Sequence, residues 1–273
     1  MLQIVLFIAT FATTFYSGQV MFDAPGLLYA GPLMLILLCH EGGHYVMCRL
    51  YGVRSTPPNF IPAPPWPYSP FGTFGAVIVM KENLPSRKAI FDIGIAGPLG
   101  GFIVAVPCIL IGLGMSDIVA EQQASGSLQL GEPLLLKLVV YLRFHSMEGK
   151  TLMLHPLVYA GWIGMLVTAI NLIPLGQLDG GHIAYAVLGP RSRWLFWPVV
   201  VSLIAMAYIL DSPAYIFFMA LVIIFVGNKH PAPLDPSAPL GTKRRLYALL
   251  ALAMLVLSFI PVPISLFPSG STT

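Results

Sequence analysis

Apolar residues in this chain run in long blocks rather than recurring at the spacing of an amphipathic helix or strand, and polar residues gather between the blocks. A helix that crosses a bilayer takes about 20 mostly apolar residues. The blocks predict seven such helices, over residues 2–17, 27–50, 88–114, 152–175, 194–210, 213–227 and 246–267; the pair flanking residue 211 is short. The fold class expected is an all-α polytopic membrane protein with about six to seven transmembrane helices and a small membrane-associated β element. Residues 55–70, STPPNFIPAPPWPYSP, carry too many prolines for helix or central strand and predict a loop over the membrane surface. The β-prone run FGTFGAVIVM at 71–80 predicts a strand or hairpin close to the membrane. Residues 117–151 predict an external amphipathic segment and 228–242 a cytoplasmic linker. The chain thus divides into a first helix and loop (1–26), core helices (27–190, with a β/loop insert at 55–85) and C-terminal helices (191–273).

Composition strengthens the membrane assignment. Apolar residues make up 57% of the chain and charged residues 9%, and the mean hydropathy is +0.83, outside the soluble norm. The first block lacks a basic flank and a small-residue cleavage site, so a retained helix is expected rather than a signal peptide; no transit peptide is visible. A net charge of +3 is too small to argue for nucleic acid, but its distribution is informative. With a cytoplasmic N-terminus and seven alternating helices, all of the fourteen Lys and Arg except Lys137, Arg143 and Lys150 fall in cytoplasmic loops, as the positive-inside rule requires. That places the C-terminal end of the second block, marked by Arg49 and Arg54, at the cytoplasmic face. Cys39, Cys48 and Cys108 all lie in apolar blocks and read as small packing residues, not a disulfide framework.

One block carries chemistry. In LLCHEGGHYVMCRLYG, residues 37–52, His40 and His44 stand four apart with Glu41 between them. Positions i and i+4 share a helical face, so both imidazoles can bind one Zn²⁺. Glu41 beside them can take a proton from water, the general-base role of the H-E-x-x-H pattern. Chance would produce that pattern on the order of 0.002 times in a chain of this composition. A structural metal site or a buried polar cluster is the alternative. Glu41 in hydrocarbon would cost at least ~2.5 kcal/mol without a partner, and a dication is such a partner. Gly42 and Gly43 cost roughly 2 kcal/mol of helix propensity relative to alanine, which implies close approach by a neighbouring helix or a substrate backbone.

Two histidines leave zinc short of its protein ligands. In NLIPLGQLDGGHI, residues 171–183, Pro174 breaks an apolar block just before Asp179 and the Gly180-Gly181 pair. Irregular backbone at membrane depth is tolerated where it is buried in protein or lines a wet cavity, so Asp179 reads as a ligand or a proton relay, with a helix N-cap as the alternative.

HEGGH in a transmembrane block together with NLIPLGQLDGG some 130 residues later resembles the site-2 proteases, the intramembrane zinc metalloproteases. The second stretch matches that family's N-x-x-P-x-x-x-L-D-G pattern through Asn171, Pro174, Leu178, Asp179 and Gly180. The resemblance implies His40, His44 and Asp179 as ligands of one Zn²⁺ per chain, Glu41 as catalytic base, and Asn171 as a group that holds the substrate backbone or the developing oxyanion. IAGPLGG at 95–101 is similar to the small-residue segment of the family's next core helix, but Gly100-Gly101 stand where many bacterial members carry asparagine, so no polar role carries over. Residues 73–101 and 227–236 look like the cyanobacterial and plastid branch. The family further implies single-pass transmembrane substrates, often already cut by a first protease. The expected setting is the lipid bilayer of a prokaryotic plasma membrane, with the active site nearer the cytoplasmic face. An inactive metal-binding scaffold or metal carrier is the rival function.

The run at 71–80 can pair with an unwound substrate as an added strand, which makes Phe74, Gly75, Ala76 and Val77 candidate substrate-binding residues; a hairpin that only covers the site is the equal alternative. His182, one turn after Asp179, predicts an orienting or interfacial contact rather than a ligand. Asp92 predicts a local ion pair with Arg87 or Lys88, and His145, His155 and His230 predict surface positions. Trp66, Trp194 and Trp197 predict interfacial anchors, and Trp162 either that or packing between helices.

Overall fold

A computed structural model describes residues 1–120, 128–144, 149–210 and 230–266. Helices dominate. α1 (Leu2–Phe22) and α2 (Leu27–Leu50) form an antiparallel pair, and Tyr29 lies so near Gly18 that a Cβ there would stand 2.7 Å from the Tyr29 Cβ. α3 (Arg87–Gly114) starts at an N-cap, Ser86, whose hydroxyl accepts from the Ala89 N–H at 3.3 Å. α5 (Pro156–Leu172) begins with proline at the first helical position, where its missing N–H costs nothing. It stops because Ile173 precedes Pro174 and is forced to extended ψ, 128°. α6 (Asp179–Leu188) ends at Gly189, whose φ of 64° suits glycine. A 3-10 segment over Gly189–Leu195 leads into α7 (Phe196–Ile209), and α8 (Thr242–Ser258) follows the linker.

Three two-stranded antiparallel sheets decorate the helices. β1 (Asn59–Pro62) pairs with β2 (Thr73–Val77); β3 (Asp117–Ala120) with β5 (Lys150–Met153); and β4 (Leu128–Leu130) with β6 (Ile264–Leu266). Between β4 and β5 lies α4 (Leu134–Phe144). β1 corrects the expectation that 55–70 is all loop. Its proline is the last residue, at an irregularity of register between Ile61 and Pro62, where a ladder N–H is dispensable.

Among the described residues, three helical runs are long and apolar enough to cross a membrane, Leu2–Phe22, Arg87–Gly114 and Asp179–Ile209. The expected count of six to seven spans is not confirmed. α2 has the length, but its HEGGH motif dilutes its hydropathy; α5 and α8 are 17 residues each, and the predicted helix 213–227 lies outside the described residues. The core sits among α2, α3 and α5, where Tyr29, Leu33, Ile109, Tyr159, Trp162 and Met165 are buried. Trp162 packs between helices, stacked on Tyr159 at 5.8 Å and donating its Nε1–H to the Gly131 carbonyl at 2.6 Å. Cys48 and Cys108 are buried free thiols.

Candidate metal centre

α2 presents His40, Glu41 and His44 as buried side chains on its inner surface. His44 is oriented by its own second nitrogen: the Nδ1–H donates to the Ile93 carbonyl of α3 at 2.7 Å. That bond fixes the tautomer and leaves the Nε2 lone pair free, the arrangement typical of metal-ligating histidine. His40 Nε2 lies 3.3 Å from His44 Nε2.

The third group arrives from the broken segment. Pro174 and the turn after it bring α6 back against α5, and Asp179 is the first residue of α6. Leu178 holds the N-cap position, so the Asp179 carboxylate is not used as the cap. Its Oδ2 stands 3.3 Å from His40 Nε2 and its Oδ1 3.3 Å from His44 Nε2. Asn171, in the last turn of α5, points Nδ2 at His40 Nε2 from 3.2 Å. Among the described residues, His40, His44 and Asp179 are the group of metal-binding side chains that converges, with ligand atoms within 4.8 Å of one another.

Two imidazoles and a carboxylate form the donor set of an open three-ligand zinc site. The spacing fits as well. Ligands bound tetrahedrally at about 2.0–2.1 Å stand roughly 3.3–3.4 Å apart, and each nearest separation between the three groups is 3.3 Å. Glu41 is buried beside His40 on α2, with the Ile78 backbone near its carboxylate. Ile78 directly follows β2, so the hairpin runs past the candidate base. Phe74 is 71% exposed and Val77 45% exposed, and β2 is bonded to β1 alone among the described strands.

The glycines explain how a ligand pair fits between packed helices. A Cβ on Gly97 of α3 would overlap the His44 ring, one on Gly43 would meet the Ala96 carbonyl, and one on Gly101 would stand 3.3 Å from His40 Nδ1. The expected close approach at Gly43 is thus α3 itself, while Gly42 has nothing within 4 Å. The sequence flagged IAGPLGG as small residues without linking Gly97 to His44. Spacing of three along α3 from Gly94 to Gly97 to Gly100 was the available signal.

Several lesser expectations change. His182 is buried on α6 and bonds through Nδ1 to His230 Nε2 at 2.6 Å. His230 is therefore no surface histidine: its ring stacks on Tyr185 at 4.4 Å, and burial lowers its affinity for a proton. Asp92 pairs with Arg244 of α8 at 2.7 and 2.8 Å and accepts from the Tyr51 hydroxyl at 2.5 Å. Its predicted local partner Arg87 instead donates to the carbonyls of Ala186 and Val187 at the end of α6. His155 is the N-cap of α5, its Nδ1 accepting from the Leu157 N–H. His145 lies outside the described residues.

Residues 28–209 match peptidase family M50. The chain is 32% identical over 239 residues to "Probable zinc metalloprotease EGY1, chloroplastic" of Oryza sativa subsp. japonica, covering 84% of this chain and 40% of that protein. The Arabidopsis thaliana protein of the same name is 31% identical, covering 83% of this chain and 41% of that protein, and the Arabidopsis thaliana "Probable zinc metalloprotease EGY2, chloroplastic" is 31% identical, covering 77% and 36%. The chain spans about two-fifths of the length of these curated relatives. No solved structure matches. The relatives carry chloroplast names and lend no support to the expected prokaryotic plasma membrane; the apolar helices support a membrane protein.

Proposed function

The chain belongs to peptidase family M50, and from that premise we propose that it is a zinc endopeptidase working inside the membrane on single-pass transmembrane proteins. The observation that carries this reading is the meeting of His40 and His44 with Asp179, from helices far apart in sequence, at separations of 3.3 Å. A scaffold needs no carboxylate such as Glu41 beside the ligands; a hydrolase does.

His40, His44 and Asp179 would hold the zinc. When bound there, zinc supplies Lewis acidity, which makes water a usable nucleophile near neutral pH and polarises the scissile carbonyl. The Glu41 carboxylate accepts a proton from the attacking water and delivers it to the amide nitrogen as the C–N bond breaks. The Asn171 amide donates to the carbonyl oxygen as negative charge develops there. The Ile93 carbonyl keeps His44 in the tautomer that presents Nε2. A substrate helix satisfies its own backbone, so it must unwind before cleavage; its extended strand would add to β2 at Phe74, Gly75, Ala76 and Val77, through main-chain bonds that tolerate many sequences. Arg49, in the last turn of α2 beyond His44, supports a site nearer the cytoplasmic face under the positive-inside rule. A separate first-cut protease would supply trimmed substrates.

The test is cleavage of a labelled single-pass substrate in detergent micelles by the wild type and by Glu41→Gln, with zinc content measured on both. The expected result is full zinc and no cleavage in Glu41→Gln. Cleavage at the wild-type rate would leave the mechanism without its base, and absence of cleavage by the wild type with zinc bound would favour a metal-binding scaffold.

A further inference from the structure

α6 is a short helix with a demanding task. It is ten residues long, its first residue is Asp179, and its N-cap is a leucine, which cannot satisfy the first-turn N–H groups. Such a terminus frays unless something outside the helix holds it.

Two contacts bracket its first turns. On one side α3 comes so close at Gly94 that an added Cβ would stand 2.8 Å from the His182 Cβ and 3.2 Å from the Asp179 carbonyl oxygen. On the other side lies His230, from the segment before α8. Its ring stacks on Tyr185 with centroids 4.4 Å apart and planes 15° apart, and meets the His182 ring edge-on at 4.7 Å. Residues 182 and 185 are one turn apart, so one imidazole spans a full turn of α6.

The hydrogen bonds set the direction of this contact. His230 Nδ1 lies 2.7 Å from the Pro231 carbonyl oxygen, which can only accept, so His230 carries its proton on Nδ1. Its Nε2 is then a lone pair, and His182 Nδ1–H donates to it at 2.6 Å. Far along the chain from the zinc motifs, the backbone of the linker thus determines which nitrogen of a buried α6 histidine bears hydrogen.

We propose that His230 is a positioning residue: the linker clasps α6 through His182 and Tyr185 and so holds Asp179 in register with His40 and His44. The clasp rests on the zinc assignment proposed above. It acts on the ligand that must cross from another helix, where a shift beyond about 0.2 Å already departs from zinc geometry. Linker and metal site are then coupled, and whatever displaces the segment at His230 loosens zinc.

Zinc affinity, read by competition with a chromophoric chelator in detergent micelles, tests the clasp on the full chain. His230→Ala should bind zinc about 10-fold more weakly, the lower end of the effect of removing a group that orients a ligand. His230→Phe keeps the stack on Tyr185 but not the acceptor and should resemble His230→Ala; His230→Gln, whose amide oxygen can accept, should recover most of the affinity. His182→Ala combined with His230→Ala should be no worse than either alone. Wild-type affinity in His230→Phe would reduce the contact to packing and overturn the proposal. A second zinc equivalent in the wild type that His230→Ala loses would overturn it in favour of a separate metal site. Asp179→Ala is the reference: if it retains wild-type zinc affinity, the zinc assignment itself fails, whereas loss there with no loss in His230→Ala sinks the clasp alone.

Discussion

Alanine at Gly97 adds a single methyl group to the middle of α3, yet it should strongly weaken zinc binding. The new Cβ would overlap Nε2, Cδ2 and Cε1 of His44. Non-bonded atoms of this kind settle about 3.5 Å apart, so the ring would have to retreat by more than about 1 Å. It cannot swing freely, because its Nδ1–H is committed to the Ile93 carbonyl at 2.7 Å on the same helix. Breaking that bond costs about 1 kcal/mol, and accommodating the methyl otherwise costs about 1–3 kcal/mol. Zinc coordination tolerates about 0.2 Å, so either route removes His44 as a ligand. The expected loss of zinc affinity is at least 100-fold, about 2.8 kcal/mol. Gly42→Ala is the matched control: nothing lies within 4 Å of that site, and alanine should raise stability by about 0.8–1.0 kcal/mol with zinc retained. Chelator competition and thermal unfolding in micelles measure both effects. Wild-type zinc affinity in Gly97→Ala would refute the packing account of the ligand pair.

Three further outcomes are expected. Asn171→Ala should keep its zinc and lower kcat about 100- to 1000-fold with KM little changed; a change confined to KM would remove Asn171 from the reacting carbonyl. Gly75→Ala should cost about 1–2 kcal/mol, because Gly75 has a φ of 99°, and should slow cleavage while zinc content stays at one per chain; unchanged cleavage would argue against substrate pairing at β2. Arg244→Ala leaves the Asp92 carboxylate with Tyr51 alone and should lower stability by about 1.5–3 kcal/mol. Arg244→Ala with Asp92→Asn should recover part of that, as measured by thermal unfolding with zinc content as the control.

What was legible in the sequence follows from how chemistry constrains spacing. His40 and His44 at i and i+4 announce themselves because a shared metal leaves few alternatives, and Pro174 announces the break that lets Asp179 arrive. The partners that make those groups a site are less visible. Ile93 contributes a backbone carbonyl and Gly97 an absence of side chain, and neither leaves a chemical mark on its own position. His230 looked like a surface residue because its partner, His182, is 48 residues away. Proximity along the chain offers Asp92 the neighbours Arg87 and Lys88, whereas its cation comes from α8. The span count is not confirmed for a related reason: blocks of apolar residues mark burial, and a helix such as α5, whose buried residues lie against α2 and α3, satisfies the same pattern as one facing lipid.

The first helix extends this reasoning. Its buried residues are Thr10, Thr14, Ser17 and Gly18, while Leu2, Ile4, Val5 and Ile8 face outward. In water that would be an inverted helix; in lipid it is the expected sense, since small polar groups are the ones that gain from meeting protein. Two on this face bond to the hairpin segment: Thr13 donates to the Gly72 carbonyl at 2.7 Å, Ser17 accepts from the Trp66 N–H at 3.1 Å, and a Cβ on Gly72 would stand 2.9 Å from the Ser17 hydroxyl. Irregular backbone beside a bilayer needs such donors and acceptors supplied by protein. The helix therefore fixes one end of the loop whose other end passes Glu41, and the small polar residues at 10, 13, 14 and 17, spaced along one face within an apolar block, are the signal for it.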